Sequence, residues 1–221
     1  MCTIIFTEGD SAKATAISGL SVVGRDTYGV FPLRGKLLNT RTATYAQLSK
    51  NEEINNIKQI LGLQSGKKYS SVSELRYGKI MVMTDQDVDG SHIKGLLFNL
   101  FNSMWPSLIQ IDGFMNSMLT PIIKAKNKKN IHEFYNLTDY ENWKNNNAVS
   151  KWNIKYYKGL GTNSDKEIKD TFGKFVIKFN NDTNVDSFMN LVFNNKQADD
   201  RKKWMKNYKQ TYPLENITSM D

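Results

Sequence analysis

Apolar residues in the first half of this chain alternate between short continuous runs and longer stretches with helical spacing. Thr3 to Thr7, Tyr28 to Pro32 and Ile80 to Met83 are too short for helices, and each predicts a buried strand of a parallel sheet. Between the first two, Ala12 to Leu20 predicts a small-residue helix stopped near Gly19. Asn51 to Leu61 predicts a second helix, with Ile54, Ile57, Ile60 and Leu61 inward and Gly62 at its end. Gln64 to Ser73 is polar and reads as a loop. After the third strand, Ile93, Leu96, Leu97, Leu100, Phe101 and Met104 follow the helical pattern, with Ser91 as the expected N-cap and Pro106 as the stop. Gly113 then opens a further strand, Phe114 to Ile123.

The pattern changes at the basic, polar stretch Lys124 to Asn130. A boundary is expected there, with one domain over 1–125 and a second over 126–221. Beyond it, Ile131 to Asn136 and Trp152 to Tyr157 read as strands. Asp139 to Asn147 reads as a short helix packing through Tyr140 and Trp143. Further helices are predicted over Ser164 to Phe172, with Ser164 as N-cap, over Asn184 to Asn194 and over Gln197 to Tyr208. Arg201, Lys202, Lys203, Lys206 and Lys209 make the last one basic. The alternation predicts an α/β fold, a parallel sheet flanked by helices, followed by an α+β extension. No internal repeat is visible.

Candidate chemistry sits where the strands end. Directly after Ile80 to Met83 and a threonine come Asp85, Asp87 and Asp89, then Gly90. The first strand also ends in an acid, Glu8. Ligands of open α/β sheets bind at the carboxyl ends of strands. If the two strands are neighbours, four carboxylates meet on one rim, where they repel one another unless a cation sits among them. Hard oxygen donors without His or Cys suit Mg²⁺. An EF-hand calcium loop is excluded, since its twelfth position would be Leu96 and not Glu. A free-standing Mg²⁺-dependent phosphohydrolase of the haloacid dehalogenase type, with Asp85 or Asp87 as nucleophile, is the alternative enzyme class. It leaves Glu8 and the basic charge without a role.

Charge adds a partner class. The 221 residues carry 30 Lys and Arg against 22 Asp and Glu, a formal net charge of +8, which favours a polyanion such as nucleic acid. A DNA-binding module with mainly electrostatic affinity is the non-enzymatic reading. Arg34 and Lys36 flank Gly35 in an expected loop, and Lys158 precedes a Gly-x-Gly turn; both suit phosphate contacts. No apolar run approaches the ~20 residues of a membrane span, and no secretory signal is visible. The single cysteine, Cys2, excludes an internal disulfide and fits an intracellular setting.

Five motifs, in order, resemble one family. Glu8-Gly9-Asp10-Ser11-Ala12, Pro32-Leu33-Arg34-Gly35-Lys36, Asp85 to Gly95, Tyr156 to Thr162 and Ala198 to Trp204 are similar to the Toprim region of eukaryotic-type type II DNA topoisomerases. The resemblance spans nearly the whole chain. It implies a Rossmann-like Toprim sheet and an extension leading toward a winged-helix domain. It implies an Mg²⁺ site of Glu8, Asp85, Asp87 and Asp89, in which Glu8, Asp85 and Asp87 are catalytic. It further implies DNA contacts by Arg34, Lys36, Asn39, His92, Lys94 and Lys158. Implied partners are double-stranded DNA, the winged-helix and ATP-hydrolysing regions of the same enzyme, and a second copy in the full-length homodimer, with ATP used only by that enzyme. On this reading the chain is a fragment, inactive alone, whose nucleophilic tyrosine lies elsewhere. An Asn- and Lys-rich composition suggests an AT-rich genome, viral or protist, and a nuclear or viral-factory location.

Overall fold

Along the first strand, Ile4 and Phe6 face one layer of the protein and Ile5 the other, and all three are buried. The same alternation in the third strand sends Ile80 and Val82 one way and Met81 and Met83 the other. A sheet apolar on both sides needs cover on both sides, which is the condition of parallel sheets in α/β proteins.

The computed structural model describes residues 1–179, 183–208 and 217–218. Its elements run β1 (Thr3–Glu8), α1 (Gly9–Val23), β2 (Tyr28–Leu33), α2 (Tyr45–Lys50), α3 (Glu52–Leu61), β3 (Lys79–Met83), α4 (Val88–Met104), α5 (Pro106–Ile109) and β4 (Met115–Met118). Then come β5 (Ile123–Lys126), β6 (Ile131–Phe134), α6 (Leu137–Asn145), β7 (Asn153–Tyr156), α7 (Asp165–Thr171), β8 (Val176–Lys178), α8 (Val185–Phe193), α9 (Ala198–Asn207) and β9 (Ile217–Thr218). The main sheet has the order β2-β1-β3-β4-β8-β9. Strands β2, β1, β3 and β4 are parallel, and β8 and β9 add antiparallel at one edge. A second sheet, β6-β5-β7, is antiparallel throughout.

Helices α3, α4 and α5 cover one face of the main sheet around Leu97, Phe101 and Trp105. Helices α1 and α7 cover the other through Ala12, Ala16, Leu20, Ile168 and Phe172. The second sheet has its own small core of Ile123, Ala125, Phe134 and Tyr140, edged by Trp143 and Trp152. No helix among the described residues is long and apolar enough to cross a membrane.

Several expectations need correction. Helix α1 does not stop near Gly19 but runs to Val23 and ends at Gly24, whose φ is 91°. Gly19 instead lets Phe172, the residue after α7, lie against the backbone, since a Cβ there would be 2.0 Å from the ring. The single strand expected over Phe114 to Ile123 is two strands in two sheets. Pro121, which has no N–H to donate, lies in the break. The chain therefore leaves the main sheet after Met118, and the division expected between 125 and 126 falls inside β5. Helix α2 was not foreseen, although Thr44 and Gln47 form a capping box at its start. Ser91 is not the N-cap of α4. Asp87 is, four residues earlier, because its carboxylate accepts the Gly90 N–H at 2.8 Å. Arg201, counted among the basic groups of the last helix, is turned back onto the fold. Its guanidinium donates to the carbonyls of Leu191 and Val192 at the end of α8. Lys209 lies outside the described residues.

Candidate metal centre at the carboxyl edge of the main sheet

Strands β1 and β3 are direct neighbours, with Thr7 opposite Met83. Glu8 and Asp85 therefore leave the sheet at one edge, and the Asp85 N–H donates to Glu8 Oε2 at 3.2 Å. The Asp85 carboxylate is fixed from elsewhere. Its Oδ1 accepts the Leu160 N–H at 2.7 Å, from the turn after β7. Gly159 of that turn lies so close that a Cβ would stand 2.4 Å from Asp85 Oδ2. Gly90 makes a matching approach from α4, where a Cβ would be 2.1 Å from the Asp85 carbonyl oxygen. The Gly-x-Gly turn expected to meet phosphate thus packs its backbone on Asp85, with Lys158 exposed just before it.

Electrostatics follow from this crowding. Burial pushes the Glu8 carboxyl above its usual range, and the charges of Asp85, Asp87 and Asp89 push the same way against the Asp85 N–H. Burial pushes the Lys94 ammonium down, opposed by the pull of Glu8 and Asp87, so this lysine faces the acidic edge from α4. Asp89 is turned outward to Lys36, with Nζ to Oδ1 at 2.7 Å, and that bond holds its carboxyl below the usual range. The pair spans a cleft of about 320 Å³ lined by Glu8, Leu33 and Ile93 as well.

The structure does not gather four carboxylates round one point. Among the described residues, no three His, Cys, Asp or Glu side chains come close enough to enclose a metal ion. Like charges separate unless something holds them, and here each aspartate has taken a nearby donor: Leu160 for Asp85, Gly90 for Asp87 and Lys36 for Asp89. The remaining expected contacts divide. Arg34 is exposed, with its guanidinium 3.9 Å from Glu52 and its backbone N–H on Glu53. His92 is exposed and stacks on Phe193 with ring centroids 6.5 Å apart. Asn39 is turned inward. Its amide donates to the Phe193 carbonyl at 2.7 Å and accepts from Arg41 and Asn99.

The donor set still fits Mg²⁺. That ion keeps most of its waters and is usually held by one or two carboxylates together with substrate phosphates, not by a closed protein cage. Glu8 and Asp85 each have one oxygen held by an N–H, and among the described residues no donor reaches the other. The Thr84 hydroxyl, buried beside Gly90, also has no hydrogen-bond partner among the described residues. Hard oxygens and an accumulated negative potential point to a small divalent cation, not to a soft metal.

The sequence reading missed Tyr157, Lys155 and Glu167, which shape the turn that reaches Asp85. Glu167 was legible as the third helical position of a capping box opened by Ser164. Its contacts with Lys155 and Tyr157 depend on how β7 and α7 pack, and no local signal marks them.

Residues 3–115 match the Toprim domain and residues 118–220 the C-terminal associated domain of TOPRIM. The chain is 53% identical over 214 residues to DNA topoisomerase 2 of Pisum sativum and 51% identical over 216 residues to DNA topoisomerase 2-alpha of Homo sapiens. Each match takes in 94% of this chain but only 15% and 14% of those relatives. The structure superimposes with a TM-score of 0.89 and 47% identity on the Plasmodium falciparum topoisomerase II DNA-binding, cleavage and re-ligation domain, covering 94% of this chain and 29% of that one.

Proposed function

This chain belongs to the Toprim domain family, and on that premise we propose that it is the Mg²⁺-binding half of the DNA cleavage and religation centre of a type II DNA topoisomerase. The observation that carries the reading is the pairing of Glu8 with Asp85 across adjacent parallel strands, at the edge where such sheets bind ligands. Double-stranded DNA is the substrate. Winged-helix and ATP-hydrolysing regions, and a second copy of the enzyme, complete the machinery.

Glu8 and Asp85 would hold the ion, with Asp87 beside them, and an ion held there would supply charge stabilisation at the scissile phosphate and at the 3′-oxygen. The chain's own residues set the stage. The Leu160 N–H orients Asp85, and the Asp85 N–H orients Glu8. Burial and the neighbouring aspartates raise the Glu8 carboxyl above its usual range, the shift that crowded like charges produce where no cation sits among them. Lys36, Arg34 and Lys158 are exposed, and in this reading they contact the DNA backbone. Asn39 and Lys94 act from within, Asn39 by bracing the loop after β2 against α8 and Lys94 by facing the acids from α4. His92 marks the outer side of α4.

The test joins the chain to the winged-helix region of its enzyme, supplies supercoiled DNA and Mg²⁺, and stops the reaction with detergent. Protein covalently attached to broken DNA is expected, and Asp85→Asn or Glu8→Gln should abolish it while the fold persists. An adduct of undiminished yield in both variants overturns the assignment.

A further inference from the structure

The turn that reaches Asp85 has no regular structure of its own beyond a single 3₁₀ turn over Leu160–Thr162. Its ends are held by one side chain. Glu167 Oε1 accepts the Tyr157 hydroxyl at 2.6 Å and the Lys155 ammonium at 2.9 Å, from the strand side of the turn. Its Oε2 accepts the Ser164 N–H and hydroxyl, each at 2.9 Å, from the helix side, and Lys155 again at 2.7 Å. A capping box asks only for the Ser164 contacts. The extra pair from β7 makes the carboxylate a knot between the two ends of residues 158–163.

Inside the knot the turn braces itself. Thr162 Oγ1 donates to the Gly159 carbonyl at 2.6 Å, and Asn163 donates to the Leu160 carbonyl at 3.1 Å. The Leu160 side chain is buried in the core beside α1. What this assembly delivers is one N–H on one carboxylate oxygen, Leu160 to Asp85 at 2.7 Å. We infer that Glu167 is a positioning residue for the acidic centre, acting through the Leu160 N–H on Asp85, with Tyr157 as its partner in that role. Burial opposes ionisation of Glu167, but the bonds from Lys155, Tyr157 and Ser164 prevail and hold its carboxyl near about 2, so the knot is charged and closed at neutral pH.

The inference rests on the reading of Glu8 and Asp85 as metal ligands, and two readouts on the full chain separate the two claims. The first is Mn²⁺ affinity by electron paramagnetic resonance. The second is hydrogen exchange of the Leu160 amide by NMR, which needs no metal. Glu167→Gln should weaken Mn²⁺ by about tenfold, the order seen when outer hydrogen bonds to metal ligands are lost, and should speed Leu160 exchange. Tyr157→Phe, which leaves the α7 cap intact, should move both readouts in the same direction by less. A role confined to capping α7 predicts no effect of Tyr157→Phe. Unchanged Leu160 exchange in both variants overturns the inference whatever the metal does. Asp85→Asn reports on the other claim. If it leaves Mn²⁺ binding intact, the metal reading fails, and Leu160 exchange alone then decides whether Glu167 positions Asp85. Should Glu167→Gln fail to fold, Tyr157→Phe carries the test.

Discussion

The parallel sheet and the antiparallel extension both place groups at the acidic edge, and they do so by different means. Glu8 and Asp85 stand where they do because β1 and β3 pair in a register set by backbone hydrogen bonds and by a core on both faces of the sheet. Leu160 stands in a turn tied at both ends by the Glu167 carboxylate and anchored by its own side chain in the core beside α1. Backbone placement is coupled to global stability, so the sheet cannot lose its position without unfolding. Side-chain placement is local, so the turn can lose its position while the fold survives. One centre thus has a rigid half and an adjustable half.

The largest effect that sharpens this contrast belongs to the core. Phe101 is fully buried in the main core, and Phe101→Ala should cost about 3–5 kcal/mol in urea unfolding. Trp143 is only partly buried at the edge of the small aromatic core, and Trp143→Ala should cost clearly less. Equal losses would break the comparison.

A subtler version uses the two glycines that crowd Asp85. At Gly90 a Cβ meets the Asp85 carbonyl, which is backbone, so Gly90→Ala should cost about 1–3 kcal/mol. At Gly159 it meets the Asp85 carboxylate, which can turn away, so Gly159→Ala should leave the unfolding midpoint nearly unchanged while accelerating Leu160 amide exchange.

Acid titration in metal-free buffer distinguishes two carboxyls whose pKa values move in opposite directions. Glu167 has a folded pKa of about 2, below its ordinary value of 4.5, so its contribution is complete above pH 4.5 and is lost as pH falls toward 2. About 2 kcal/mol should disappear in that window, after allowance for partial exposure, and Glu167→Gln should remove that part of the pH dependence. Glu8 is raised above 4.5, so the folded state holds its proton more tightly and stability falls as pH rises past that value. Glu8→Gln should therefore stabilise the protein at pH 7 relative to pH 4, as read by thermal unfolding.

The smallest effect is expected at the exposed Lys36–Asp89 pair. Asp89→Asn should not move the melting temperature measurably, because exposed pairs are screened and costly to order. A large shift there would mean that this bridge, and not the strand register, holds the rim together.

Much of this was legible in the chain. The short apolar runs of Ile4 to Phe6 and Ile80 to Met83 announce strands covered on both faces, and the acids that follow them announce a site at the strand ends. Ser164 announces the start of α7. Less was legible where a residue has two plausible local roles. Asp87 and Ser91 are both good caps, and the choice fell to the one whose carboxylate reached Gly90. Gly19 reads as a helix stop until Phe172, far along the sequence, lies over it. Asn39 reads as a DNA contact and Arg201 as one of the basic groups of the last helix until the carbonyls of Phe193, Leu191 and Val192 come within hydrogen-bond distance.

By itself, then, the sequence determined the alternation of strands and helices, the acids at the ends of two of the strands, and the basic residues of the loops after β2 and β7. These are local matters of periodicity, turn chemistry and charge, which a chain expresses within a few residues. Only the tertiary structure decided that the three aspartates would face three different donors, that the turn after β7 would close on Asp85, and that Glu167 would tie both ends of that turn. Those outcomes depend on which distant groups arrive at a given carboxylate, and burial beside a charge makes such meetings decisive while leaving no periodic trace in the chain.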